Sequence, residues 1–266
     1  MHVMSYKFNR NFSPPGKRKM SLKSAILFLL VLIALTGCNS NSDDTPVIEK
    51  KDYKILFIGN SFTFYNDGID YHLKNMLRVE KSSDSISYVI QKIAVSSYTL
   101  EAHFKDPLTM QKIKNDKWNM VILQEQSTRP VNNPDLFLEF ATKLDTEIKK
   151  SGSEVSLFMT WALKDVPTEI SLIAASYGTV GLQLKDKVVP AGRVWEYFVK
   201  NNQTIDLYDT DKKHPSLAGT YLVTCVFYYS VFNKNPVENS YFPVGLSAEN
   251  AITIRRIVHD YFNTNQ

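Results

Sequence analysis

The chain has 266 residues, 44% of them hydrophobic and 22% charged, with two cysteines and a formal charge of +4. The positive balance is local, because residues 1–37 hold six of the 31 Lys and Arg and none of the 27 Asp and Glu, leaving 25 basic against 27 acidic residues from Cys38 onward. A slightly acidic remainder carries no electrostatic footprint for nucleic acid or another polyanion, and residues 53–266 are enough for one domain with a sizeable core.

Lys17, Arg18, Lys19 and Lys23 precede an apolar stretch over 25–35 that ends Leu35-Thr36-Gly37-Cys38. A basic head, a short apolar core and small residues at its end form a secretory signal, and the core is too short to span a bilayer comfortably. The ending resembles the bacterial lipobox, which implies that residues 1–37 are a lipoprotein signal peptide and that Cys38 is lipidated. Residues 38–52 then form a polar tether without periodicity. Its Ser42-Asp43-Asp44 run resembles the export signal of Bacteroidetes surface lipoproteins. The expected location is the cell envelope, with the acyl chains on Cys38 anchoring the protein in the outer membrane, facing outward. With Cys38 acylated only Cys225 is left, so no intrachain disulfide can form.

The domain opens on an unbroken apolar run, Ile55 to Ile58, closed by Gly59 and followed by Asn60 and Ser61. Such a run predicts a strand over 54–59 buried on both faces, as in a parallel sheet. Residues 68–77 have helical spacing, 81–85 read as a loop, and 86–95 alternate as a second strand. Residues 100–114 read as helical around their middle, interrupted by Pro107. A third strand over 118–123 runs into Gln124-Glu125-Gln126-Ser127. Asn133 and Pro134 open a helix to about 150, with Leu136, Phe140, Leu144 and Ile148 as its core face. A fourth strand spans 155–160, a helix 168–185, a short fifth strand 188–189, and a helix 193–200. Residues 216–232 read as a helix packed all round and 248–262 as an amphipathic final helix. Strands alternating with helices at this spacing predict a three-layer α/β/α sandwich on a flavodoxin-like five-stranded parallel sheet.

Ser61 stands just past the carboxyl end of the first strand, the edge where ligands collect in an open parallel sheet. A serine nucleophile needs a base, and the base a group to orient it. Of the five histidines, His2 lies in the signal segment, His259 on the last helix, and His72 on the helix after Ser61, facing the sheet or solvent. His103 follows the second strand and can line a site at the same edge. His214 is the strongest candidate: it lies in Asp211-Lys212-Lys213-His214-Pro215-Ser216, where Asp211 can orient the imidazole within one tight loop. Asp209 and Asp211 lack the glycine loop or histidine cluster of a metal or phosphoryl-aspartate site, so no metal is assigned. Trp161, Trp195 and Tyr98 are either core or a wall for stacking sugars.

Gly59-Asn60-Ser61 after the first strand, with Asp211-x-x-His214-Pro215 near the C-terminus, resembles the SGNH/GDSL hydrolase superfamily over residues 54–262. The Gly-Asn-Ser-Phe-Thr and Gln-Glu-Gln-Ser blocks resemble a divergent branch of it found among bacterial exported proteins. The resemblance implies a serine esterase or deacylase with Ser61, His214 and Asp211 as catalytic triad and no metal or organic cofactor. It also implies an oxyanion hole built from the N–H of Ser61 and two further blocks. The family's second-block glycine is absent from Ala94-Val95-Ser96-Ser97-Tyr98-Thr99, so the backbone N–H of Ser97, or less directly Ser96, takes its place. The family's Gly-x-Asn is replaced by Gln124-Glu125-Gln126, which puts the Gln126 amide in the role of the asparagine. Asn60, Glu125, His103 and Trp161 are further candidates for the pocket. The expected substrate is an acylated small molecule or glycan. Two rival readings use the same residues: a non-catalytic surface lipoprotein that binds a glycan or protein, and an acyltransferase with the same triad.

Overall fold

The computed structural model describes residues 51–80 and 86–264. The signal segment, Cys38, nearly all of the tether and the 81–85 loop lie outside them. Five parallel strands form one sheet: β1 (Lys51–Gly59), β2 (Ile86–Ala94), β3 (Met120–Leu123), β4 (Glu154–Phe158) and β5 (Lys187–Val189), in the spatial order β2-β1-β3-β4-β5. This is the flavodoxin-like order. β1 begins at Lys51, earlier than its apolar run, because Lys51 to Tyr53 pair with Ile86 to Tyr88 along β2.

Alternation along the central strands sorts the core into two layers. Ile55 and Phe57 of β1, with Met120 and Ile122 of β3, face one helical layer, whereas Leu56, Ile58, Val121 and Leu123 face the other. The first layer holds α2 (Ile69–Val79), α8 (Ala191–Asn201), α9 (Leu217–Phe232) and α10 (Ala248–Thr264). The second holds α3 (Leu100–Lys105), α4 (Pro107–Asn115), α6 (Pro134–Lys150) and α7 (Ile170–Leu184). Two one-turn helices, α1 (Ser61–Phe64) and α5 (Arg129–Asn132), follow β1 and β3 at the carboxyl edge. Among the described residues no helix is long and apolar enough to cross a membrane.

Pro107 does more than interrupt a helix. It starts α4 at the first helical position, behind Asp106, whose carboxylate accepts from the N–H of Leu108 and Thr109. The core face of α6 also differs from the expected one. Phe137, Phe140, Ala141, Leu144 and Ile148 are buried, while Leu136 is only partly covered. A strict four-residue spacing drifts around a 3.6-residue helix, and Phe137 recovers the register.

Candidate active site

β1 ends at the point where the strand order reverses, β2 lying to one side and β3 to the other. Gly59 is required there by close approach: a Cβ would come within 2.5 Å of Gln124 Oε1 and Thr63 Oγ1. Asn60 caps α1, its Oδ1 accepting from Phe62 N–H at 3.1 Å, while its amide donates to the carbonyl of Tyr98. Ser61 is thereby presented at the first position of α1, only 8% exposed.

Ser61 Oγ lies 2.8 Å from Nε2 of His214, and His214 Nδ1 lies 2.5 Å from Oδ2 of Asp211. The other carboxylate oxygen accepts the backbone N–H groups of Lys213 and His214. The loop's partial removal from water acts against ionisation. The bonds from the His214 ring and from the two N–H groups outweigh it and hold the Asp211 carboxyl down at about 2. This loop is closed by an antiparallel bridge between Tyr208 and Pro215, and Asp209 N–H donates to the carbonyl of His214. Asn66 ties the loop back to the α1–α2 connection by donating to the carbonyl of Pro215 at 2.9 Å.

Aromatic rings complete this side. Tyr65 stacks on the His214 imidazole at 4.3 Å, and Phe62 meets it edge-on. Phe62 in turn stacks on Trp161 at 4.6 Å and Trp161 on Trp195 at 4.2 Å, while the Trp161 indole donates to the carbonyl of Lys213.

The opposite side is polar. Ser61, Ser97 and Gln126 share one small depression with Asn60, Phe62, Ser127 and Lys213. Ser97 occupies the turn closed by Tyr98 N–H and the carbonyl of Val95, and its φ is +63°, the left-handed conformation that glycine adopts without strain. Within the described residues, the backbone N–H groups of Ser61 and Ser97 have no hydrogen-bond partner. The Gln126 amide is oriented by α5: its Oε1 accepts the N–H and hydroxyl of Thr128 and the N–H of Arg129. With that oxygen committed, the NH2 end is left to the depression, where it comes within 3.3 Å of Ser127 Oγ.

No family model matches the chain, and no curated protein matches it in sequence. Its fold is another matter. A DUF4886 family protein from Bacteroides uniformis superposes with a TM-score of 0.66 at 16% identity, over 80% of this chain and 95% of its own. A protein from Slackia heliotrinireducens assigned to the SGNH hydrolases superposes at 0.57 and 20% identity, over 68% of this chain and 100% of its own. An acetyl xylan esterase, AlAXEase, gives 0.54 at 15% identity, over 67% and 99%. This is the SGNH-hydrolase fold.

Within this fold, three expected pocket residues lie beneath the site and not in its wall. Trp161 is 1% exposed and sandwiched between Phe62 and Trp195, so it offers no face to a sugar. His103 is fully buried under the β1 turn, one ring nitrogen on the carbonyl of Gly59 and the other 3.1 Å from Thr109 Oγ1. Burial pushes its pKa down despite the Gly59 contact. Glu125 is fully buried as well, its Oε1 accepting the N–H of Leu100 and of Gln126. Asn60 is the one that does reach the depression. His72 does not face solvent: it is buried, donates from Nε2 to the carbonyl of Asn66 and accepts from Tyr241.

Gln124 is missing from the expected site residues, yet its Oε1 accepts from Asn60 N–H at 2.8 Å and from the Thr63 hydroxyl at 3.0 Å. It fixes the β1 turn from the neighbouring strand. The signal for it was available in a polar residue directly after a fully apolar strand. Among the described residues no cluster of three or more His, Cys, Asp or Glu is arranged to hold a metal.

Proposed function

We propose that the protein is a serine ester hydrolase of the SGNH type. The observation that carries this is the unbroken chain Ser61 Oγ, His214 Nε2, His214 Nδ1, Asp211 Oδ2, with separations of 2.8 and 2.5 Å, at the carboxyl edge of the sheet. Asp211 holds the tautomer with the proton on Nδ1, so Nε2 is free to accept the Ser61 proton as Oγ attacks the acyl carbonyl. The carbonyl oxygen becomes an oxyanion facing the N–H groups of Ser61 and Ser97 and the Gln126 amide. His214 then gives its proton to the departing alkoxide, leaving an acyl group on Ser61. Water, deprotonated by the same imidazole, releases the acid and regenerates the serine.

An acylated glycan is the substrate class we favour. The acetyl xylan esterase of the same fold supports that class, and the lipobox-like Cys38 supports work at the outer face of the cell envelope. The depression around Ser61 is small, which suits a short acyl group better than a long one. A fluorophosphonate probe tests the chemistry directly. The wild type is expected to be modified at Ser61, and Ser61→Ala and His214→Ala to resist modification while keeping their circular dichroism. A folded wild type that stays unlabelled would sink the hydrolase reading. Release of acetate from acetylated oligosaccharides, compared with short-chain aryl esters, tests the substrate class.

A further inference from the structure

Two loops that supply the outer oxyanion donors leave different strands. Ser97 follows β2, and Gln126 follows β3. Nothing in the covalent chain fixes their separation, so some contact between them has to. The buried carboxyl of Glu125 makes that contact. Its Oε1 lies 3.1 Å from Leu100 N, at the first position of the helix that the Ser97 turn runs into, and 2.6 Å from Gln126 N. One oxygen atom thus receives an N–H from each loop. The second oxygen, Oε2, is buried without a hydrogen-bond partner.

We propose that Glu125 is a positioning residue for the oxyanion hole, holding the Ser97 turn and the Gln126 amide at a fixed separation through its two backbone bonds. This rests on the hydrolase reading above and deepens it. Burial favours the protonated form and pushes the Glu125 carboxyl up to about 7, although the two N–H bonds and Arg129 act the other way. The charged and titratable groups that face it are Arg129 from α5, Glu101 from α3 and Tyr177 from α7. Arg129 is itself paired with Glu101 at 2.7 Å, and the Tyr177 hydroxyl accepts from Glu125 N–H. His103, also on α3, spends its ring nitrogens on Gly59 and Thr109. A neutral carboxyl keeps both bonds through its carbonyl oxygen and adds no charge. An ionised one keeps them too, but sets a buried negative charge one residue from the Gln126 donor, which opposes the build-up of charge on the oxyanion.

Steady-state hydrolysis of an aryl acetate between about pH 5.5 and 9.5 separates this role from simple packing. Wild type is expected to lose kcat roughly tenfold as pH rises through neutrality, after the acid limb set by protonation of the base. Glu125→Gln keeps an acceptor oxygen and cannot ionise. It should hold kcat within about threefold of wild type at pH 6 and show no alkaline decline. Glu125→Ala leaves two N–H groups unpartnered and should lower kcat about 10- to 100-fold with KM changed less than threefold. The proposal is overturned if wild type shows no alkaline decline, if Glu125→Gln retains it, or if a folded Glu125→Ala keeps wild-type kcat. Should Glu125→Ala not fold, the Glu125→Gln profile decides alone. A wild type labelled at Ser61 with Glu125 variants indistinguishable from it removes this inference and leaves the hydrolase. An unlabelled wild type removes both.

Discussion

Ser61 has an aromatic neighbourhood on the His214 side and a polar, hydrogen-bonded one on the Gln126 side. The His214 ring packs against Tyr65 and Phe62, and its loop is held by its own backbone bonds, by Lys164 N–H on the carbonyl of Lys212, and by bonds to the carbonyls of Lys213 and Pro215. Across the depression, Gln124, Glu125 and Gln126 direct their side chains to three different places: the β1 turn, the α3 start and the α5 start. Contacts between rings degrade gradually when one is trimmed. A buried hydrogen-bond network does not, because removing one partner leaves another polar group unsatisfied away from water. The His214 ring thus has aromatic packing beside its bonds to Ser61 and Asp211, whereas the Ser97 turn and the Gln126 amide are held by hydrogen bonds.

The comparison can be broken first at the charged link of the aromatic side. Asp211→Asn keeps the shape of the loop but offers the imidazole an amide, which no longer selects the tautomer with the proton on Nδ1. A fall of about 10³–10⁴ in kcat is expected, read with an aryl ester alongside circular dichroism. A fall below tenfold would mean that Tyr65 and Phe62 orient the ring by themselves. The polar side is tested next by Gln126→Ala. Losing one oxyanion donor typically costs about 10²–10³ in turnover with little change in KM, and here the cap of α5 is lost as well. If kcat is unchanged, the amide does not reach the oxyanion, and Ser61 and Ser97 hold the charge alone.

Stability should report the same asymmetry. The Glu125 carboxyl is raised from 4.5 to about 7, so the folded state binds its proton more tightly than the unfolded state does. Its contribution is complete below about pH 4.5 and is lost as pH rises through 7, by up to about 3 kcal/mol. Urea unfolding of wild type and Glu125→Gln across that window should therefore converge at low pH and separate at high pH. Parallel curves would show that water or Arg129 compensates the charge. Asp211 has the opposite sign: its pKa is depressed, so its contribution is present above the unfolded value and lost only as pH falls toward 2.

The juxtaposition of Ser61, His214 and Asp211 was legible in the sequence because its cues are local. An apolar run with a glycine at its end locates Ser61 at the strand edge, and a three-residue spacing joins Asp211 to His214 within one loop. The sheet was legible for a related reason, since strands buried on both faces lack polar interruptions. Depth was not legible. His103, Trp161 and Glu125 were all rightly set at the carboxyl edge, but an edge position does not say whether a side chain points into the cleft or under it. That depends on which neighbour it meets: Gly59 for His103, the Phe62 and Trp195 rings for Trp161, Leu100 for Glu125. The one-turn helices α1 and α5 escaped because four residues carry no periodicity, and without α5 the cap that turns Gln126 has no visible partner.

Ser97 is where sequence and fold disagree most usefully. The glycine expected from the SGNH/GDSL resemblance is missing, yet the backbone takes a φ of +63°, which a serine adopts at a cost of about 1 kcal/mol relative to glycine. Its side chain is exposed, so removing it takes away no buried contact. Ser97→Gly should therefore relieve strain at the folded turn, partly offset by the greater freedom glycine gives the unfolded chain. The expected result is a gain of at most about 1 kcal/mol, or a rise of a few degrees in Tm, with kcat within about twofold of wild type. A large gain in kcat instead would mean that the serine side chain obstructs the hole, and that the turn is the weak point of the polar side. A loss of stability would mean that the turn is held by its flanking bonds, Asn60 to Tyr98 and Val95 to Gly59, firmly enough that the serine strain is already absorbed.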